Sequence, residues 1–402
     1  MKTAGIALYE NRIFRIVILT VLGLLAALSV MQGARNALRF SQDFQWDAAK
    51  ALMMRIDPYD ESLSPTGALD RGDLQAYYSY YESIGAPQKM EANQFPSLLL
   101  LLFPYTLFSP HTARILWLVT NILYTAGLAI LFRKTFLAGA DRFLYALLIL
   151  LMLAGTPYRN QLGVGQHTVF SLFYLLLAVY LVQKNAGCIP VSLALAVSYF
   201  KYTLTAPLAL YFVYKRKWRE LVLSVGIHAA LTGVSARWLS ESYFDMLLKP
   251  LKVSMALASE GGLDFGALFH GSTFAFILAA IVMCGLFIVS LKADGTQENL
   301  LFSVLLLWSL IILYHRTYDF FPLILVSSVF FAAAGNGIRG RMITLPAYIA
   351  VLLLVFFVMR LFGEATFIRI VTGTVYYAFT LWMTALLNLS IFKTGNTDNG
   401  NG

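Results

Sequence analysis

The run IVILTVLGLLAALSVM, residues 16–31, holds no charged side chain. Water cannot solvate so much contiguous apolar surface, and a helix crossing a bilayer needs about 20 such residues. A cleaved signal peptide is the competing explanation, since Gly33-Ala34 offers small residues just beyond the run. Many more apolar runs follow, which favours a retained span. They occupy 95–108, 112–132, 142–156, 167–183, 189–214, 219–239, 271–292, 299–314, 318–334, 343–361 and 369–391. With the first, they predict an all-α polytopic membrane protein of about twelve transmembrane helices. Several runs fall short of about 20 residues and are expected to be tilted, broken or re-entrant.

Composition agrees. Of 402 residues, 59% are hydrophobic and 13% charged, and the mean hydropathy is +0.69. Soluble domains carry about 25% charged residues. The balance excludes a soluble enzyme, a disordered chain and a secreted disulfide scaffold. Cys188 and Cys284 lie far apart in or beside apolar runs and read as packing residues. The formal charge of +9 belongs to cytoplasmic loops on the positive-inside rule, not to nucleic-acid binding. The chain reads as one transmembrane domain, 1–392, followed by a polar, Gly/Asn-rich tail at 393–402 expected to be disordered.

Residues 32–93 break the apolar pattern, with nine acidic and six basic side chains and four tyrosines at 77, 78, 80 and 81. A polar insertion of this length lies in water or at the interface, and long loops carry function. With the N-terminus inside, this loop faces outward and is net acidic, while Lys215, Arg216, Lys217, Arg219, Arg339 and Arg341 face inward. The same topology puts Arg133, Lys134 and Arg142 outside, against the rule, and puts the 155–170 loop inside.

Ionisable groups near lipid are functional candidates. In SQDFQWDAAKALMMRIDPYD, residues 41–60, apolar positions recur at helical spacing after Asp43. The segment predicts a short amphipathic helix on the outer surface, with Asp43 near its start. Asp43 is either a helix cap or a catalytic group. Asp57-Pro58-Tyr59-Asp60 predicts a turn. Pro96 suits the first turn of the next helix. Gly163, Gly165, Gln166 and His167 make either a capped loop or a polar ligand site at a helix N-terminus. Lys201 sits about midway along an apolar run, too far from either end to snorkel, and predicts a buried cation facing an anion. His315, Arg316, Tyr318 and Asp319 form a polar turn on the Asp43 side.

An external carboxylate, an external His/Arg turn and an intramembrane Lys suit a lipid-phosphate enzyme. The carboxylate takes a proton from a hydroxyl, and the cations hold a phosphate as it leaves. There is no Gly-rich nucleotide loop and no clustered His/Cys metal site.

The ordered motifs resemble glycosyltransferase family 87. They are Asp43-Phe44, Ala48-Ala49, the Asp57-Pro58-Tyr59-Asp60 turn, Gln94-Phe95-Pro96-Ser97 with Pro104, Gly165-Gln166, Lys201 with Pro207 and a following KRKWR, and His315. Arg55-Ile56 stands where the family has a Gly before its turn. The resemblance implies a GT-C-type bundle with a large first extracytoplasmic loop. It implies a polyprenyl-phosphate-sugar-dependent, mannosyltransferase-like enzyme of the bacterial inner membrane and cell envelope, active on the outer face. On it, Asp43 becomes the general base and Asp47 the fallback, while Lys201, His315 and Arg316 bind donor phosphate. Tyr59, Asp60, Gln166, His167 and Tyr318 become substrate-binding. No cofactor is implied and a divalent metal is not required. The partners are a polyprenyl-phosphate sugar, a lipid or glycan acceptor and membrane lipids, with no nucleic acid. Two other classes share the cations: a transporter or flippase of lipid-linked sugar, which should show repeat symmetry between halves, and an oligosaccharide polymerase or ligase. Residues 32–93 have no counterpart in the C-terminal half, which counts against the first.

Overall fold

A computed structural model describes residues 11–65, 67–257, 262–331, 341–361 and 366–398. Every regular element among them is helical. Seven helices are long and apolar enough to cross a membrane: Arg12–Arg39, Pro110–Phe136, Cys188–Leu208, Trp218–Leu239, Thr273–Lys292, Gly295–Ile312 and Thr366–Lys393. Arg142–Ala154 and Thr156–Val164, bent by 55°, make an eighth if taken as one span. Four further apolar helices, Pro96–Thr106, Thr168–Gln183, Thr317–Phe331 and Thr344–Val358, are shorter. At 1.5 Å per residue such helices fall short of a hydrocarbon core of about 30 Å. The first helix leaves Ile13, Val17, Val21, Leu24 and Leu28 exposed along its length, a surface suited to lipid.

The expected span at 95–108 does not cross. Tyr59 Oη donates to Gln94 O at 2.6 Å before the segment, and Trp46 Nε1 and Lys50 Nζ donate to Tyr105 O and Thr106 O, both at 3.1 Å, at its end. Both ends therefore stay with the 41–83 loop. Pro96 and Pro104 and the 3-10 turn Leu100–Leu102 break the segment into short pieces.

The expected span at 189–214 is a hairpin, although its part Cys188–Leu208 is long and apolar enough to make one crossing by length and composition alone. Gln183 Nε2 and Lys215 Nζ both bond Glu298, at 3.0 and 2.6 Å. At the other end of Thr168–Gln183, the ring of Phe200 packs 4.2 Å from that of His167. The chain thus leaves the Glu298 end after Gln183, climbs to Phe200 and returns to Lys215. Its tip is the 3-10 turn Tyr199–Lys201, where Lys201 takes φ −112° and ψ 65°, outside the helical region. Side chains donate to carbonyls near the tip. Ser198 O accepts from Thr205 Oγ1, and Ala196 O accepts from His228 Nε2 as well as from Tyr199 N, the two side-chain bonds each at 2.8 Å. Lys201 is therefore not mid-span but at a turn.

Losing one crossing at 95–108 moves Arg133, Lys134 and Arg142 to the end that holds Lys215, which removes the exception to the positive-inside rule. It also moves Gly165 and Gln166 to the Asp43 end. Regaining a crossing in the hairpin leaves the later helices as the charge pattern implies.

The 41–83 loop is folded, not loose. Helices Trp46–Met53, Pro58–Leu63 and Gly72–Ser83 share an apolar core that includes Phe44, Trp46, Tyr59, Tyr77, Tyr78 and Tyr81. Cys188 and Cys284 are both free thiols. The last helix runs Thr366–Asp398, so 393–398 are helical where the sequence predicts a disordered tail. Residues 399–402 lie outside the described residues, as do Arg339 and its neighbours at 332–340.

Candidate active site

The first helix stops at Arg39, and the chain turns tightly through the 3-10 element Gln42–Phe44. Two L-residues in this turn, Ser41 and Gln45, adopt positive φ of 43° and 57°, which is uncommon outside glycine. Phe44 anchors the turn. It is 1% exposed and stacks on Trp117 with ring centroids 4.8 Å apart. Against the turn lies Gly165, where φ is +71° and an added Cβ would meet Ser41 at 3.0 Å. Only glycine permits that approach, and it delivers the next residue, Gln166, to Asp43.

Gln166 Nε2 donates to Asp43 Oδ2 at 3.0 Å and to Tyr318 Oη at 3.2 Å. Its own atoms are held on three sides. Its Oε1 accepts His167 N at 2.8 Å, its carbonyl accepts Gln161 Nε2 at 2.7 Å, and the preceding Gly165 carbonyl accepts Trp117 Nε1 at 2.8 Å.

Below Gln166 sits a buried ionic group. Lys201 Nζ lies 3.3 Å and His315 Nδ1 3.0 Å from Asp319 Oδ2, and Thr168 Oγ1 donates to the same carboxylate. Lys201 is 6% exposed and Asp319 fully buried. The anion that the sequence demands for Lys201 is Asp319. A buried pair of this kind is costly unless further hydrogen bonds complete it, and here Thr168 and His315 do so.

A cavity of 260 Å³ opens over these groups. Asp43, Gln166, Lys201, Arg316, Tyr314 and Tyr318 line it, as do Asp47, Gln42, Gln45, Tyr77, Tyr78, Tyr81, Pro87, Lys89, Glu91, Asn93 and Gln94. Asp43 is partly exposed in this wall. Burial raises its carboxyl above the usual range; the Tyr318 hydroxyl and the charges of Lys201 and Arg316 oppose that rise without cancelling it. Asp47 is raised for the same first reason and accepts the Tyr78 hydroxyl at 2.5 Å.

The wall thus gathers Asp43, Asp47, Lys201, Arg316, Gln166 and Tyr318. Four other expected residues lie off it. His315 is fully buried and holds Asp319; His167 is fully buried, with Nε2 3.0 Å from Phe44 O. Tyr59 is buried beneath Gln94. Asp60 pairs with Lys249, whose ammonium also meets Asp57 and Glu241. The Asp57 side chain caps Pro58–Leu63 through Tyr59 N at 2.8 Å, so Asp-Pro-Tyr-Asp opens a short helix where the sequence predicts a turn.

The sequence pattern matches the model of glycosyltransferase family 87 over residues 96–314, just over half of the chain. The chain belongs to glycosyltransferase family 87. Searches of curated proteins and of solved structures return no match. The family-87 region contains Gln166 and Lys201, and Asp43 reaches it from outside through the Gln166 bond. It is a multi-pass membrane glycosyltransferase. Among the cavity residues, Gln42, Gln45, Pro87, Lys89, Glu91, Asn93 and Tyr314 escaped sequence reasoning, and Gln94 entered it only as part of a family motif. They lie in turns and irregular segments, where no periodicity marks a face. The one available signal was the density of polar residues between 89 and 94.

Proposed function

We propose that this family-87 enzyme moves a sugar, mannose-like or a pentose, from a polyprenyl-phosphate donor to a hydroxyl of a lipid or glycan acceptor, with inversion. The reaction occurs on the extracytoplasmic face of a bacterial inner membrane, in a GT-C-type bundle of about twelve legs. One observation carries it: a carboxylate with a raised pKa shares a cavity wall with two cations, and one amide fixes its orientation.

In the reaction, Asp43 takes the proton of the acceptor hydroxyl. The oxygen attacks the anomeric carbon of the donor. The bond from that carbon to the phosphate oxygen breaks, and its electron pair leaves with the lipid phosphate. Lys201 and Arg316 bind that phosphate and stabilise the charge it gains. His315 acts one step removed, holding Asp319 and through it Lys201. Asp47, bonded by Tyr78, faces the acceptor side. A raised carboxyl pKa suits a general base, because proton transfer improves as the base approaches the working pH.

The test is transfer from synthetic polyprenyl-phosphate mannose, and then other lipid-phosphate sugars, to membrane extract by purified protein. Wild type should transfer, and Asp43→Asn, equally folded, should lose about 10²–10⁴ of the rate. Normal transfer by both Asp43→Asn and Asp47→Asn would sink the mechanism. Movement of lipid-linked sugar across vesicles without bond formation would replace it with a flippase.

A further inference from the structure

Gln45, Asn93 and Gln94 form a chain of amides on the cavity wall whose polarity is fixed from one end. Gln45 contacts the backbone carbonyl of Glu91 at 3.0 Å. A carbonyl only accepts, so the Gln45 atom there is Nε2. That nitrogen also lies 2.6 Å from Asn93, which must present Oδ1. Gln94 approaches the same Oδ1 at 3.2 Å and must offer its own Nε2. Gln45 thus spends both of its N–H groups on the protein, and Gln94 one of its two. Their Oε1 atoms are buried and accept no hydrogen bond among the described residues. Gln45 is 8% and Gln94 4% exposed, and both line the cavity. Buried polar atoms are nearly always satisfied, so two unmatched acceptors beside one cavity call for a ligand that brings donors.

We infer that Gln45 and Gln94 bind hydroxyl groups of the sugar acceptor, so that the acceptor is a neutral polyhydroxylated ring with at least two free O–H donors. The inference rests on the transferase reaction for the identity of the ligand, and it adds the residues that choose the acceptor.

The experiment uses the full chain in nanodiscs. Binding of methyl hexopyranosides and their monodeoxy analogues is followed by ligand-observed NMR for wild type, Gln45→Met, Gln94→Met and Asp43→Asn. Wild type binds a parent glycoside and loses about three- to tenfold on removal of particular hydroxyls, the scale of one neutral hydrogen bond. Each Gln→Met variant binds the parent more weakly by a similar factor and becomes indifferent to one of those deletions. Asp43→Asn loses transfer and alters the response to the one hydroxyl that Asp43 meets, while the deoxy penalties read by Gln45 and Gln94 persist, so failure of the base and failure of the amide site are told apart. Unchanged deoxy penalties in both Gln→Met variants, or no glycoside binding by wild type, overturn the inference. Thermal unfolding of each variant checks that it is folded.

Discussion

Gln166 and Asp43 meet at 3.0 Å across 123 residues of sequence. Their contact joins the family-87 region to the loop that precedes it. Gln166 is itself fixed by His167 N, Gln161 and the Gly165 turn, so the amide acts as a rigid pointer for the carboxylate. Gln166→Leu should lower kcat about ten- to a hundredfold, because small misplacements of a reacting group carry such factors. The KM for donor should move little, and the unfolding temperature should stay near wild type. A fall in donor affinity with kcat intact would instead make Gln166 a donor ligand.

Much of this was legible in advance, and the exceptions share a cause. Asp43, Lys201, Arg316, Gln166 and Tyr318 were visible because polar groups stand out against apolar runs. That Asp319 is the partner of Lys201, and not a residue of a plain polar turn, was hidden, since pairing across a bundle leaves no local pattern. The 95–108 and 189–214 segments misled for one physical reason. Hydropathy measures apolar length and is blind to a chain that turns back on itself, as at Lys201, or that breaks at Pro96 and Pro104 without crossing. The charge rule carried the correction all along. Arg133, Lys134 and Arg142 violated it only while 95–108 was counted as a span. His315 and His167 were expected at the ligand because of their chemistry. The fold uses both behind the wall, as supports.

Protonation of Asp43 should set the acid limb of the reaction. Its carboxyl titrates above the usual value of about 3.9 because burial outweighs the Tyr318 hydroxyl and the nearby cations. The base works only when ionised, so kcat/KM should fall as pH drops through that raised value. Tyr318→Phe removes a favourable contact with the ionised form and should shift the limb to higher pH. Stability should move the other way. A carboxyl whose pKa is raised on folding destabilises the folded chain above its folded pKa and not below its unfolded one. Asp43→Asn should therefore raise the unfolding temperature at neutral pH, with the gain vanishing as pH falls to the unfolded carboxylate range. An acid limb that is the same in Tyr318→Phe would remove Tyr318 from this account.

Lys249 fastens the helix Tyr243–Leu257 to the catalytic loop. Its ammonium lies 2.6 Å from Asp57, 3.0 Å from Asp60 and 3.4 Å from Glu241, and these charges raise its pKa well above the ordinary lysine value. Lys249→Met leaves three carboxylates facing one another and should cost about 1–2 kcal/mol of stability, more than one surface pair gives. A second change, Glu241→Leu, relieves part of the repulsion and should recover part of the loss. The pair is measured as a double-mutant cycle by thermal or denaturant unfolding. Additive losses, with no coupling, would show that the cluster is only a solvated surface.

Glu298 should control Lys201 from the far end of the bundle. The hairpin that carries Lys201 starts just after Gln183 and ends at Lys215, and one carboxylate holds both, with Tyr211 Oη a third donor at 2.6 Å. Its two legs are short and its tip is non-helical, so the clip at the base sets the height at which Lys201 reaches Asp319. Removing that carboxylate leaves an ammonium, a hydroxyl and an amide unmatched. Glu298→Leu should then cost about 2–3 kcal/mol, the range for hydrogen bonds to a charged group. It should also raise the KM for the lipid-phosphate donor severalfold while leaving acceptor binding alone, because the cation moves and the loop does not. The exchange Glu298→Lys with Lys215→Glu restores the pair and should return part of both losses. If Glu298→Leu unfolds early yet keeps its donor KM, the tip is held by Thr168, His315 and Asp319 alone. The clip then serves stability without reaching the chemistry.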